Sequence, residues 1–484
     1  MAEQYTVPLI INGEEITTST TFPVTSPVSH KQIWSCSSAS NENVQSAIAA
    51  AQAAFPAWSK TKPAARRDIL IKASQIVKSR TEELAGYMEQ ETGSHSSFSS
   101  GFNVPLAAEM FLDVAGRIST ITGVIPNCSD DGTNALVVKE PYGVTLGISP
   151  WNAPYILGVR AILYALATGN TCILKGSELS PRCFWAIGSV LKEAGLPAGV
   201  LNVLYHRPED APAVTAALVE NTAVKHVNFT GSTAVGRIIA QMAGKSLKPV
   251  IMELGGKASA LVLDDADLKK AALQCALGSF IHSGQVCMAT ERILVHKSIK
   301  AAFVQEFKGA VEQVFGSDKP PLVLVQAASV AKNKRLISEA VKQGANIVVG
   351  DPEKDEEHPE TKEASKTRMR PIIVDQVTKE MELYYTESFG PTVSVMEVES
   401  DEEAISIAND TEYGLTGAVF TENLARGIRV ARQIESGAVH INAMTIHDET
   451  NLPHGGAKMS GWGRFNGNWG LEEFLRLKTI TYQE

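Results

Sequence analysis

The sequence predicts an α/β protein built on a largely parallel sheet, and two observations carry that expectation. From Val144 onward, short apolar or β-branched runs (VTLGIS, TCILK, VLNVL, KHVNF) alternate with helical stretches around 156–167, 181–194 and 210–219 and from Ser232. Strands of this kind, each followed by a helix, specify a parallel sheet covered on both faces. The second observation is length: 484 residues exceed one ordinary core, so two or three lobes are expected.

Composition narrows the function classes. The chain is 44% hydrophobic and 20% charged, as a globular protein is, and its net charge of -9 leaves no basic excess to neutralise phosphates. A nucleic-acid or anionic-membrane partner is therefore not expected. The start, MAEQYTVPLIINGEE, lacks the charged and long apolar regions of a signal peptide, and the most apolar region, 153–169, carries Arg160. A cytoplasmic protein without a membrane span is expected. Six scattered cysteines without CxxC, and ten histidines without HExxH, give no disulfide framework and no metal site.

Taken in order, residues 1 to about 30 read as an edge hairpin and loop, and 41–100 as helices with apolar spacings of three and four. From Gly123 to Tyr142, two extended runs flank the polar SDDGTN turn, a projecting hairpin that either meets another subunit or folds back on its own domain. The parallel unit follows. In such sheets ligands bind beyond the carboxyl ends of the strands, so the segments after each strand hold the candidates.

After the first strand comes Ser149-Pro150-Trp151-Asn152, where Asn152 either caps a helix or aims its amide NH2 at an oxyanion. After the second, Lys175, Ser177 and Glu178 can reach ribose hydroxyls, or form a surface ion pair. After the fourth, Phe229-Thr230-Gly231-Ser232 leads into a helix whose first backbone N–H groups suit a diphosphate. Glu253, leading into Gly255-Gly256, has the space of a general base. Cys287, in SFIHSGQVCMAT, suits an exposed nucleophilic turn, whereas an isolated cysteine is more often a small core residue.

A second α/β unit runs through RILVH, helices to Val314 and over 328–343, and NIVVG; the charged loop 351–367 reads as a solvated insertion without chemistry. The irregular segments containing Glu387-Ser388-Phe389 and Pro453-His454-Gly455 read as binding loops. The C-terminal FLRLKTITYQ reads as a strand able to pair with another subunit's edge.

The ordered set PWNAP, LKGSE, FTGSTAVG, MELGGK, SGQVC, ESFGP and GGAKMSG resembles the NAD(P)-dependent aldehyde dehydrogenase superfamily. The resemblance implies a Rossmann-like NAD-binding domain over 1–120 and 141–250, and a catalytic domain over 251–430. It also implies an oligomerisation arm from 121–140 and 470–484, a returning tunnel loop over 431–469, and a homodimer or homotetramer. By the same comparison Cys287 attacks the aldehyde, Asn152 and the Cys287 N–H hold the oxyanion, and Glu253 activates the water that hydrolyses the thioester. Ser149, Trp151, Lys175, Ser177, Glu178, Phe229, Gly231, Ser232, Val235, Leu254, Glu387 and Phe389 would bind NAD, with NADP the weaker alternative.

The segments GFNVPLAAEMF, NAPYILGVRAI and SFIHSGQVCMATERILV are similar to the salicylaldehyde and vanillin dehydrogenase branch, implying an aromatic aldehyde. Tyr155, Leu157, Arg160, His282, Ile446, His447 and His454 would then line or approach the tunnel. His282, His454 and Ala153 depart from the aromatic side chains that aliphatic-aldehyde members often carry. Arg160 either pairs a phenolate or carboxylate of the substrate or serves the structure. An aliphatic or CoA-acylating semialdehyde dehydrogenase, and a non-catalytic protein on the same scaffold, are the competing readings. Glu253 opposes the CoA reading, since a thiol acceptor needs no such base.

Overall fold

The computed structural model describes residues 5–354 and 366–483. Most of the charged loop expected over 351–367 lies outside the described residues.

Two open sheets organise the molecule. The first has eight strands in the order Gly461–Trp462, Val250–Glu253, Val224–Thr230, Val144–Ile148, Thr171–Lys175, Leu201–Leu204, Leu9–Ile11 and Glu14–Ile16. Its five central strands are mutually parallel, and both edges are closed by antiparallel pairs. These strands are almost wholly buried, and helices at 154–167, 181–194, 211–219 and 233–245 make the crossovers. The helix Pro154–Ala167 is buried at every residue, so it packs as core on all sides.

The second sheet has seven strands in the order Asn346–Val349, Ile372–Asp375, Thr392–Val398, Thr290–His296, Ala258–Val262, Thr416–Phe420 and Ala438–Ile441. It is parallel except at the Asn346–Val349 edge. Among the described residues no helix is long and apolar enough to cross a membrane.

The expected hairpin over 123–142 shrinks to a single bridge, Val124 to Val137. Thr133–Pro141 instead pairs antiparallel with Leu475–Gln483 of the same chain, in unbroken register from Leu475–Pro141 to Gln483–Thr133. The reason is backbone satisfaction: a long ladder pairs far more N–H and C=O groups than a short hairpin leg containing Pro126. The C-terminal strand thus finds its partner within its own chain.

Candidate active site

Because the central strands run parallel, their carboxyl ends share one edge of the sheet. Trp151 and Asn152 follow Val144–Ile148, Gly231 and Ser232 follow Val224–Thr230, and Glu253 ends Val250–Glu253. The second sheet faces them with the turn after the helix Leu268–Phe280, which carries Cys287, and with Glu387–Phe389 ahead of Thr392–Val398.

The cysteine turn is held in an unusual backbone shape. His282 and Ser283 adopt left-handed φ values of 49° and 61°, ahead of Gly284 at 71°. Non-glycine residues pay for that conformation, and the neighbourhood over-determines it. The Gln285 amide donates to His282 O at 3.2 Å, and its Oε1 accepts from Val325 N–H at 2.9 Å. Glycine is required opposite the nucleophile, since a Cβ on Gly256 would stand 2.2 Å from the Cys287 carbonyl oxygen.

Asn152 is buried, and its Nδ2 donates one hydrogen bond to Gln285 O at 3.0 Å. An amide nitrogen carries two hydrogens, so one donor remains for another acceptor. Burial first, and the Glu253 carboxylate next, push the Cys287 thiol well above its ordinary range, while Arg160 opposes them. Cys287 is therefore a neutral thiol at rest. Among the described residues, both Glu253 oxygens are buried without a hydrogen-bond partner.

Two cavities meet at this cluster. The first, about 290 Å³, is lined by Trp151, Asn152, Leu157, Gly231, Ser232, Glu253, Leu254, Cys287, Glu387 and Phe389. Trp151 and Phe389 stand edge to face there, their ring centroids 6.0 Å apart. Glu387 Oε1 accepts from Gly256 N–H at 2.8 Å, and burial raises its carboxyl to about 7. Ser232 caps the helix Thr233–Lys245 through Val235 N–H. A planar ring and a sugar hydroxyl fit this donor and acceptor set.

Ser149, Lys175, Ser177, Glu178, Phe229 and Val235 are not in the lining of that cavity. Lys175 and Glu178 lie along the same sheet edge, where burial lowers the Lys175 amine and Glu178 partly restores it. The Ser149 hydroxyl is buried and unpartnered. Ser177 Oγ lies 3.4 Å from Glu178 Oε2 and accepts from Leu179 N–H at 3.2 Å. The Phe229 ring closes against Gly231, where a Cβ would come within 2.6 Å of it. Val235 is exposed on the first turn of its helix.

The second cavity shares Asn152, Leu157 and Cys287 with the first and adds Phe98, Phe102, Ile156, Arg160, Met288, Ile446, Asp448 and His454. Arg160 is ion-paired with Asp448, and Asn466 Nδ2 donates to Asp448 Oδ1 at 2.9 Å. Burial opposes ionisation of Asp448, but Arg160 and then His454 outweigh it and hold its carboxyl below the usual range.

Three expected tunnel residues lie elsewhere. Tyr155 points into an apolar core patch and donates its O–H to Leu84 O at 2.6 Å, because the helix that carries it is buried on every face. His282 stacks on Phe98 at 4.5 Å and lines a different cavity behind that ring; burial drops its imidazole to about 3, so it is neutral. His447 sits beyond His454, beside His440 and bonded to Glu449.

Sequence reasoning missed Phe98, Phe102, Met288 and Asp448 in the second cavity, and Lys332 in the first. Lys332 Nζ donates to Glu387 O at 2.8 Å and so braces that segment. A buried arginine requires an acid, which is a signal for some partner to Arg160, though not for which one.

Comparison with known proteins identifies the family. Residues 15–480 match the model of the aldehyde dehydrogenase family. A vanillin dehydrogenase of Pseudomonas sp. (strain HR199 / DSM 7063) is 42% identical over 99% of this chain and 98% of that one. The crystal structure of a salicylaldehyde dehydrogenase from Pseudomonas putida G7, complexed with salicylaldehyde, superposes with a TM-score of 0.94 at 36% identity, covering 99% and 98% of the two chains. A betaine aldehyde dehydrogenase mutant from Staphylococcus aureus, in complex with NAD+, gives a TM-score of 0.92 at 30% identity, covering 99% and 96%. With these matches along nearly its whole length, this chain belongs to the aldehyde dehydrogenase family.

Proposed function

We propose that the protein oxidises an aromatic aldehyde to its carboxylic acid with NAD as acceptor. The observation that carries this reading is that Cys287 and Asn152 border both cavities, one flanked by Trp151, Glu387 and Phe389 and the other by Phe98, Phe102, Ile446 and Arg160. A substrate carbonyl at that junction faces the thiol, the free Asn152 N–H and the cofactor side at once. Similarity to vanillin and salicylaldehyde dehydrogenases supports the aromatic class.

Cys287 passes its proton to water and attacks the carbonyl carbon as the thiolate, and the oxyanion is met by Asn152 Nδ2 and the Cys287 backbone N–H. NAD(P), when bound, supplies hydride acceptance from the resulting thiohemiacetal. Glu253, whose two oxygens accept no hydrogen bond among the described residues, then takes a proton from water that attacks the thioester, and the C–S bond breaks to return the Cys287 thiolate. Arg160 lines the substrate cavity with an unpartnered Nε–H, which supports contact with a ring substituent.

Use of NAD(P) follows the family; preference for NAD rests on Glu178, whose carboxylate at the end of Thr171–Lys175 repels a 2′-phosphate. The division into a cofactor domain, a catalytic domain and an arm remains our reading of the two sheets and the 133–141/475–483 ladder. The arm exposes Val124, Ile125, Leu477 and Ile480, an apolar surface that supports a homodimer or homotetramer.

NADH formation across benzaldehyde, salicylaldehyde, vanillin, a carboxylated aromatic aldehyde and aliphatic aldehydes, with NAD or NADP and with or without CoA, tests the reading. Turnover favouring rings without CoA is expected. An aliphatic preference would overturn the substrate class, and dependence on CoA would overturn the hydrolytic step.

A further inference from the structure

We propose that His454 receives the proton that Glu253 removes from the hydrolytic water, and that a histidine-lined cavity behind it passes the proton to solvent. The proposal rests on the reading of Glu253 as general base.

His454 is fixed by two backbone hydrogen bonds with Phe465, at 3.0 and 2.8 Å. Its imidazole is buried, and Nε2 lies 3.7 Å from Glu253 Oε1. Nδ1 lies 4.0 Å from Asp448 Oδ1 on the opposite side of the ring. Neither His454 Nε2 nor either Glu253 oxygen has another hydrogen-bond partner. Buried polar atoms left idle are uncommon, and two of them facing each other beside a nucleophile mark a contact that tightens during reaction.

The ring also divides two spaces. On one side is the cavity holding Cys287, Arg160 and Ile446; on the other is a cavity of about 50 Å³ lined by His440, His447, Asp448, Glu449 and His454 itself. In that second space His447 is partly exposed, its Nε2 bonded to Glu449 Oε1 at 2.7 Å, and its ring lies 4.8 Å from that of His440. Titratable side chains therefore run from Glu253 to the surface. The charged groups facing His454 are Glu253 and Asp448, and Asp448 is in turn held by Arg160.

Glu253 takes one proton from water as the hydroxide adds to the thioester carbonyl. Collapse breaks the C–S bond and releases the carboxylic acid and the Cys287 thiolate. The proton on Glu253 moves to His454 Nε2, and the imidazolium, stabilised by Asp448, gives up its Nδ1 proton to water in the second cavity. Glu253 is again a carboxylate for the next turnover.

The test is rapid-mixing kinetics at saturating aldehyde on His454→Phe, which keeps a ring of similar volume, with His454→Ala and Glu253→Gln in parallel. We expect the hydride burst of His454→Phe to be preserved and its deacylation to slow by about 10- to 100-fold, as loss of a proton-transfer group does. Added imidazole should restore deacylation in His454→Ala, and substituted imidazoles should do so in order of basicity, which a merely structural role would not produce. His447→Ala, at the exposed end, should slow deacylation in dilute buffer and recover as buffer concentration rises. Normal deacylation in His454→Phe alongside slow Glu253→Gln would overturn the relay and spare the general base. Loss of the burst in His454→Phe would also overturn it. Normal deacylation in Glu253→Gln would instead overturn the general-base reading itself.

Discussion

Arg160 and Asp448 form an ion pair in the wall of the cavity that also holds Cys287, Ile446 and His454, their side chains only 2% and 5% exposed. A pair so far from water is held less by its own attraction than by the cost of leaving either charge alone. Arg160→Met is expected to lower stability by about 3–5 kcal/mol, because Asp448 stays buried without its cation. Arg160→Met combined with Asp448→Leu should recover much of that loss. Urea unfolding of the three proteins checks this, and a single variant as stable as the parent would show that the pair does not anchor this wall.

The state of Cys287 gives a second prediction. Burial and the Glu253 carboxylate raise its pKa, so the thiolate fraction grows as pH rises and is small at neutrality. Alkylation by iodoacetamide without cofactor should therefore accelerate from pH 6 through pH 9 without levelling off. Glu253→Gln removes the neighbouring negative charge, so alkylation at a given pH should become faster. Slower alkylation would mean that Glu253 acts mainly as the base that activates the thiol.

What the sequence disclosed, and what it hid, divides by the range of the signal. Asn152, Glu253 and Cys287 each follow a strand or sit beside glycines, so local pattern points to them, and the parallel order of strands brings the first two to one edge. Asp448, on a loop, and Phe98, at the end of the short helix Ser96–Phe98, are remote in sequence from Arg160 and Cys287, and no local pattern encodes such contacts. Tyr155 was misdirected for a different reason. Its helix is apolar all round, so periodicity does not tell which residues face the ligand and which face the core. The hairpin expected over 123–142 differed in its pairing: a strand's alternation does not name its partner, and Thr133–Pro141 takes the one more than 330 residues along the chain.

Buried histidines set the acid limit. His226 is buried between Tyr142 and Phe474, with ring centroids at 5.2 and 4.7 Å, and burial lowers its pKa to about 3. The unfolded chain binds a proton there near pH 6.5 while the folded chain does not, so this contribution to stability is complete above that pH and falls away as pH drops toward 3. The slope for one such group is at most about 1.4 kcal/mol per pH unit. The thermal unfolding midpoint should fall between pH 7.5 and pH 5.5, and fall less in His226→Phe. An identical fall in both would assign the acid sensitivity to other groups.

The proposed preference for NAD rests on Glu178. It lies three residues past Lys175, which ends the strand Thr171–Lys175, and the two charges face each other closely enough for Glu178 to raise the pKa of the buried amine. Lys175 would serve a ribose hydroxyl in either cofactor, whereas the carboxylate can accept from a 2′-hydroxyl and must repel a 2′-phosphate. Glu178→Gln keeps the side-chain length and one acceptor oxygen while removing the charge. Its kcat/KM with NADP should rise about tenfold relative to that with NAD, equivalent to about 1.4 kcal/mol of relieved repulsion. The change should appear in KM and leave kcat with NAD nearly untouched, because the substitution lies away from Cys287 and Glu253. An unchanged NAD/NADP ratio would remove Glu178 from the discrimination and shift attention to the neighbouring Ser177 and Lys175.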